Sequence, residues 1–186
     1  ETLAHILYNF TDFKGKKEEA EKEPPQQTLY FQADEFHKEQ AERAIEHGRT
    51  IAESVKITRD LANTPANVCN PTYMAEKAKE FTKGLHKTHL HIISETEMAD
   101  LGMGCYLAVS QGSDEPAKMV VLEYNGADKT DKPVVLVGKG VTFDTGGLSL
   151  KGGAYMMGMK YDMCGAASVL GAFKMAAELK LPINLI

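Results

Sequence analysis

The segment that most restricts how this chain can fold is Val134–Val137, an apolar run opened by Pro133 and closed by Gly138. A short, continuous, largely β-branched run of this kind predicts a strand buried on both faces of a parallel or mixed sheet. After it comes a glycine-rich stretch in which Lys139, Asp144, Lys151 and Asp162 stand among Gly140, Gly146, Gly147, Gly152 and Gly153. Polar groups that follow such a strand sit at its carboxyl end, where open α/β sheets bind their ligands. A backbone without Cβ atoms can approach a ligand closely.

Two lysines and two aspartates in an apolar, glycine-lined region need mutual compensation or a shared ion. Aspartate is a hard oxygen ligand suited to Zn, Mn or Mg, and a bridging carboxylate can hold two such ions. Lysine coordinates only after losing a proton, a loss that burial and a neighbouring dication both promote. A second lysine that stays cationic would polarise a carbonyl and stabilise the oxyanion formed when water attacks it. The loop therefore points to metal-assisted hydrolysis; the plainer alternative is an ordinary turn with solvated charges. Nucleotide readings fail on spacing. A phosphate-binding loop needs glycine where Pro133 stands and Ser or Thr where Gly140 stands, and a dinucleotide fingerprint needs glycine in place of Phe143.

The string VGKGVTFDTGGLSLK followed by MKYDMCGAA closely resembles the signature region of the leucine aminopeptidase, or cytosol aminopeptidase, family of two-metal exopeptidases. The resemblance implies metal-ligand roles for Lys139, Asp144 and Asp162, with Asp144 bridging both ions and Asp162 also meeting the free amine of the substrate. It implies a catalytic role for Lys151 and places Met159 in the pocket for the first substrate side chain. It further implies two divalent ions, Zn or Mn, and a metal-bridging water that attacks the first peptide carbonyl. Removal of an N-terminal residue, leucine or another apolar one preferred, would follow. Peptide substrates, a homo-hexamer and a cytoplasmic location complete what the family implies.

In the family a second motif, Asn-Thr-Asp-Ala-Glu-Gly-Arg, brings further acidic ligands and an arginine that holds a bicarbonate ion. That string is absent from the 186 residues, so this stretch alone is expected to be inactive. A non-catalytic α/β binding or assembly module of the same fold is the alternative.

A net charge of -5 argues against nucleic acid or an anionic membrane as an obligatory partner. Cys69, Cys105 and Cys164 form no C-x-x-C pair, which suits reduced thiols. Cys164 reads as a small packing residue rather than a nucleophile. His89 and His91 share one face of a predicted strand and read as surface residues rather than a metal pair.

Leu3–Phe10 is an apolar stretch, and the charged Asp12–Glu23 segment ending at Pro24–Pro25 reads as a solvated loop. Thr28–Phe31 is β-prone. Apolar spacing from Ala41 to Val55 predicts a long connecting helix from about Asp34 to Leu61, broken at Asn63–Asn67. Asn70-Pro71 predicts the cap and first turn of a helix to about Gly84. Strands are expected at Leu90–Ile93, Tyr106–Val109, Met119–Tyr124, Val134–Val137 and Pro182–Ile186, with helices at Glu95–Leu101 and Met163–Leu179. The expected architecture is a three-layer α/β/α domain with a mixed, largely parallel sheet. Residues 1–33 are read as the end of a smaller N-terminal α/β domain and linker, and 34–186 as a connecting helix and the first part of a catalytic domain.

Overall fold

The computed structural model describes residues 2–15 and 28–186; most of the charged loop expected up to Pro25 lies outside them. Seven helices are described: α1 Thr2–Leu7, α2 Lys38–Asn63, α3 Pro71–Thr82, α4 Glu95–Asp100, α5 Gly104–Ser110, α6 Gly153–Met156 and α7 Cys164–Glu178. The strands are β1 Thr88–Ser94, β2 Lys118–Asn125 and β3 Asn184–Leu185. Thr28–Phe31 forms no strand.

Local signals account for the helix ends. Thr64 precedes Pro65 and is extended, and both its backbone N–H and its hydroxyl donate to the Asp60 carbonyl, closing α2. Asn70 caps α3 by accepting the Tyr73 N–H at 2.8 Å, with Pro71 in the first turn. Ser94 accepts from Glu97 N–H and starts α4 where β1 stops.

The sheet runs β1-β2-β3 with both pairings antiparallel, which corrects the expectation of a largely parallel sheet. The cause lies between β1 and β2. Tyr106–Val109, expected as a strand, is part of helix α5, because an apolar run this short between Gly104 and Gly112 suits either state. The two short helices α4 and α5 then return the chain to the end of the sheet it left. Ser94 faces Lys118 in the register, and Glu95 Oε1 accepts the Ala117 N–H at 2.8 Å. A crossover to the far end, which a parallel pair requires, does not occur.

Val134–Val137 also departs from expectation. Its backbone exchanges bonds with the β3 segment: Val134 N–H donates to Asn184 O, Ile186 N–H to Val134 O and Leu136 N–H to Ile186 O, at 2.8 to 2.9 Å. This is an isolated parallel bridge rather than a buried strand. Val135 is 59% exposed and Val137 90%, whereas Leu136 on the other face is 37% exposed, so the segment is at most partly covered by the described residues.

Helices pack on the sheet in the α/β/α manner expected. The main core joins Leu122, Tyr124 and Leu185 of the sheet to Phe173, Ala176 and Ala177 of α7. A second cluster joins Leu61 of α2, Cys69, Met74 of α3, Met163 and Ala167. Helix α7 belongs to both. It lies so close to α2 that a Cβ on Gly171 would fall 2.4 Å from Thr58 Oγ1 and 2.9 Å from Ser54 O, and Thr58 donates to Ala167 O across the gap at 3.0 Å.

Gly171→Ala should therefore destabilise the protein by about 1–3 kcal/mol through overpacking, although alanine is the better helix former. Gly112→Ala, where nothing lies within 4 Å of the new Cβ, should stay within about 0.5 kcal/mol. Denaturant midpoints of the two variants check this.

Candidate metal centre

The site is assembled by one backbone contact. Gly138 leads out of the Val134 segment and meets the first turn of α7 with no room for side chains: a Cβ on Gly138 would lie 2.5 Å from Gly165 O and 2.6 Å from Ala166 Cα. A Cβ on Gly165 would in turn lie 2.9 Å from Lys139 N. The Ala166 N–H, one of the donors a helix start leaves unpaired, is bonded to Lys139 O at 2.8 Å. Lys139 is thereby held beside the residues that precede α7.

The loop that follows folds back on itself. Asp144 Oδ1 accepts the Gly146 N–H at 2.8 Å, and Lys151 N–H donates to Thr145 O at 2.9 Å. Gly146 has φ +95, and its Cβ position is taken by Ser149 O at 2.4 Å, so the closure requires glycine there.

All five residues named from the sequence come together. Lys139 Nζ lies 2.9 Å from Asp162 Oδ2, and Lys151 Nζ lies 2.7 Å from Asp144 Oδ2. Lys151 Nζ also reaches Asp144 O at 3.3 Å and Met159 Sδ at 3.0 Å. Asp162 Oδ2 is buried, and its contact with the Lys139 ammonium is short but poorly directed for a hydrogen bond. The Asp162 carboxylate, with Asp144 farther off, holds the Lys139 ammonium above the usual lysine range. The Lys151 ammonium, then the Gly146 N–H, hold Asp144 below the usual carboxylate range.

The Asp144 and Asp162 carboxylates are hard oxygen donors and Lys139 is an amine donor, a set whose chemistry fits a divalent cation, and the Lys151 and Lys139 ammoniums compensate the two carboxylates at 2.7 and 2.9 Å. Among the described residues no three His, Cys, Asp or Glu side chains group together, so a complete carboxylate cage is not present. The groove between α1 and α2 includes none of the five residues.

Other candidates take minor parts. Cys164 packs with the second core cluster, and burial, then Asp162, push its thiol upward, away from nucleophilic use. Burial pushes Cys69 up to about 11. His89 and His91 share the exposed face of β1, where His91 pairs with Glu97 at 2.9 Å. Sequence reasoning missed the contact between Gly138 and Gly165. The small-residue run Gly165-Ala166-Ala167 is its trace, but nothing in the run names the partner.

The cluster of aspartates and lysines thus lies on loops beside the sheet of an α/β/α domain, braced by α7. The comparisons make this specific, and the chain belongs to the cytosol aminopeptidase family: residues 56–186 match the family's catalytic domain. It is 50% identical over 180 residues to a probable cytosol aminopeptidase of Thioalkalivibrio sulfidiphilus, covering 97% of this chain and 36% of that protein. It is 48% identical over 186 residues to the cytosol aminopeptidase of Pseudomonas aeruginosa, covering 100% of this chain and 37% of the relative. The chain thus spans little more than a third of the curated relatives it matches. Among solved structures it is similar to the bottromycin maturation enzyme BotP in complex with Mn, with TM-score 0.70 and 38% identity over 77% of this chain and 31% of that one. It is also similar to the apo leucyl aminopeptidase of Trypanosoma cruzi, with TM-score 0.71 and 37% identity over 75% and 27% of the two chains.

Gly138→Ala should force the Lys139 turn away from α7. A loss of about 1–3 kcal/mol in unfolding free energy is expected, measured by denaturant titration.

Proposed function

We propose that this chain carries part of the metal centre of an aminopeptidase that removes the N-terminal residue of peptides, with leucine or another apolar residue preferred. The observation that carries the reading is the pair of lysine–aspartate contacts, Lys139 with Asp162 and Lys151 with Asp144, in one loop cluster. Lys139, Asp144 and Asp162 would hold divalent ions, with Asp144 shared between two of them. Mn or Zn suits this oxygen and amine set, and the Mn complex of BotP supports Mn. Such ions supply Lewis-acid polarisation of the scissile carbonyl and lower the pKa of water.

The remaining work falls to the chain's own side chains. Asp162 would receive the free α-amine, which restricts cleavage to the terminal residue. Lys151, released from Asp144, would donate to the carbonyl oxygen as charge develops there. Met159, whose sulfur touches Lys151 Nζ, would line the pocket for the first side chain. Two carboxylates do not complete a two-metal site, so we assign the further acidic ligands, the arginine and its bicarbonate to residues outside these 186. A cytoplasmic hexamer, and a boundary near residue 34 between an N-terminal domain and the catalytic one, belong to the same reading.

The full protein tests it. Lys139→Ala and Asp144→Ala should lower metal content and hydrolysis of leucyl peptides together, whereas Lys151→Ala should retain metal and lose about 10²–10³ in kcat. Full metal content in Asp144→Ala would defeat the bridging assignment, and metal binding without hydrolysis in the unaltered protein would favour the non-catalytic alternative. Because Asp162 keeps Lys139 protonated, coordination by its amine must release a proton. Metal affinity should therefore rise with pH between 7 and 9, and calorimetry in buffers of different ionisation enthalpy should detect the released proton, which Lys139→Met removes.

A further inference from the structure

We infer that Lys160 is a positioning residue for the metal centre, acting by tying its turn to the end of the long helix α2; the inference rests on the reading above. Met159–Tyr161 is a single 3-10 turn, closed by Asp162 N–H donating to Met159 O at 3.2 Å. Its first residue meets Lys151, and the residue after it meets Lys139. Lys160 lies between them and points the other way, with Nζ donating to the carbonyl of Asn63 at 3.3 Å.

Asn63 is the last residue of α2. The final carbonyls of a helix lack partners within it and carry the negative end of its dipole, so a cation is favoured there. The last turn of α2 has no basic residue of its own. Lys160 supplies that cation from a segment 97 positions away.

The acceptor is itself fixed. Asn63 Nδ2 donates to Tyr8 Oη at 3.2 Å, and Tyr8 donates to Asp60 Oδ1 at 2.9 Å. Lys160 is half-buried, and its ammonium lies 4.8 Å from the centre of the Tyr161 ring. A short turn with one residue anchored on a long helix cannot rotate freely, so the anchor sets where Met159 and Asp162 face the two lysines.

The test uses the full protein, with Mn²⁺ alone as the titrant and Co²⁺ as the spectroscopic probe. Lys160→Met should weaken Mn²⁺ binding about tenfold, the low end for loss of an outer-shell partner, and shift the visible spectrum of the Co²⁺ form. Lys160→Arg, which retains charge and reach, should bind within about threefold of wild type and restore the spectrum. If Lys160→Met does not fold, Lys160→Gln carries the comparison, with at least fivefold weaker binding than Lys160→Arg expected. Wild-type affinity and spectrum in the Met or Gln variant would overturn the inference, as would equal losses in Lys160→Arg. Normal Mn²⁺ binding in Asp144→Ala as well would remove the metal-site reading itself, so the two failures are distinguishable.

Discussion

The structure depends on the contact of two glycine-bearing backbones, Gly138-Lys139 against Gly165-Ala166. No side chain fits between them, and the Ala166 N–H bonded to Lys139 O fixes their separation. Through this contact the Val134 segment, the loop carrying Asp144 and Lys151, and α7 become one unit. Apart from their own ion pair, Lys139 and Asp162 are brought together by this contact, since the intervening residues form a loop and two very short helices.

Helix α7 transmits that constraint to the rest of the molecule. One part of it fills the sheet core with Phe173, Ala176 and Ala177, and another closes the α2 and α3 cluster with Ala167. At Gly171 it approaches α2 too closely for a side chain to fit between them. The candidate centre is consequently referenced to α2 twice, through α7 and through Lys160 on the Asn63 carbonyl.

Features carried by adjacent residues were legible in the sequence. Asn70-Pro71 announced α3, Thr64-Pro65 the end of α2, and the spacing of Lys139, Asp144, Lys151 and Asp162 announced a loop of compensating charges. Features set by distant pairings were not. Strand direction follows from where α4 and α5 deliver the chain, a matter decided by the Glu95 contact with Ala117, 22 positions apart. Helix α5 was hidden because four apolar residues carry no period. The exposure of Val135 and Val137 was hidden because apolar, β-branched residues say that a strand wants cover without saying which segment provides it. The contact between Gly138 and Gly165 was hidden because a glycine records that space is needed but not what takes it up.

The open Val134–Val137 segment has a consequence for handling the 186 residues as an isolated polypeptide. One of its edges is paired to the β3 segment, while the other has no backbone partner among the described residues and is flanked by exposed valines. That is a template on which a second molecule can align. In an isolated polypeptide of these residues that edge is an aggregation hazard.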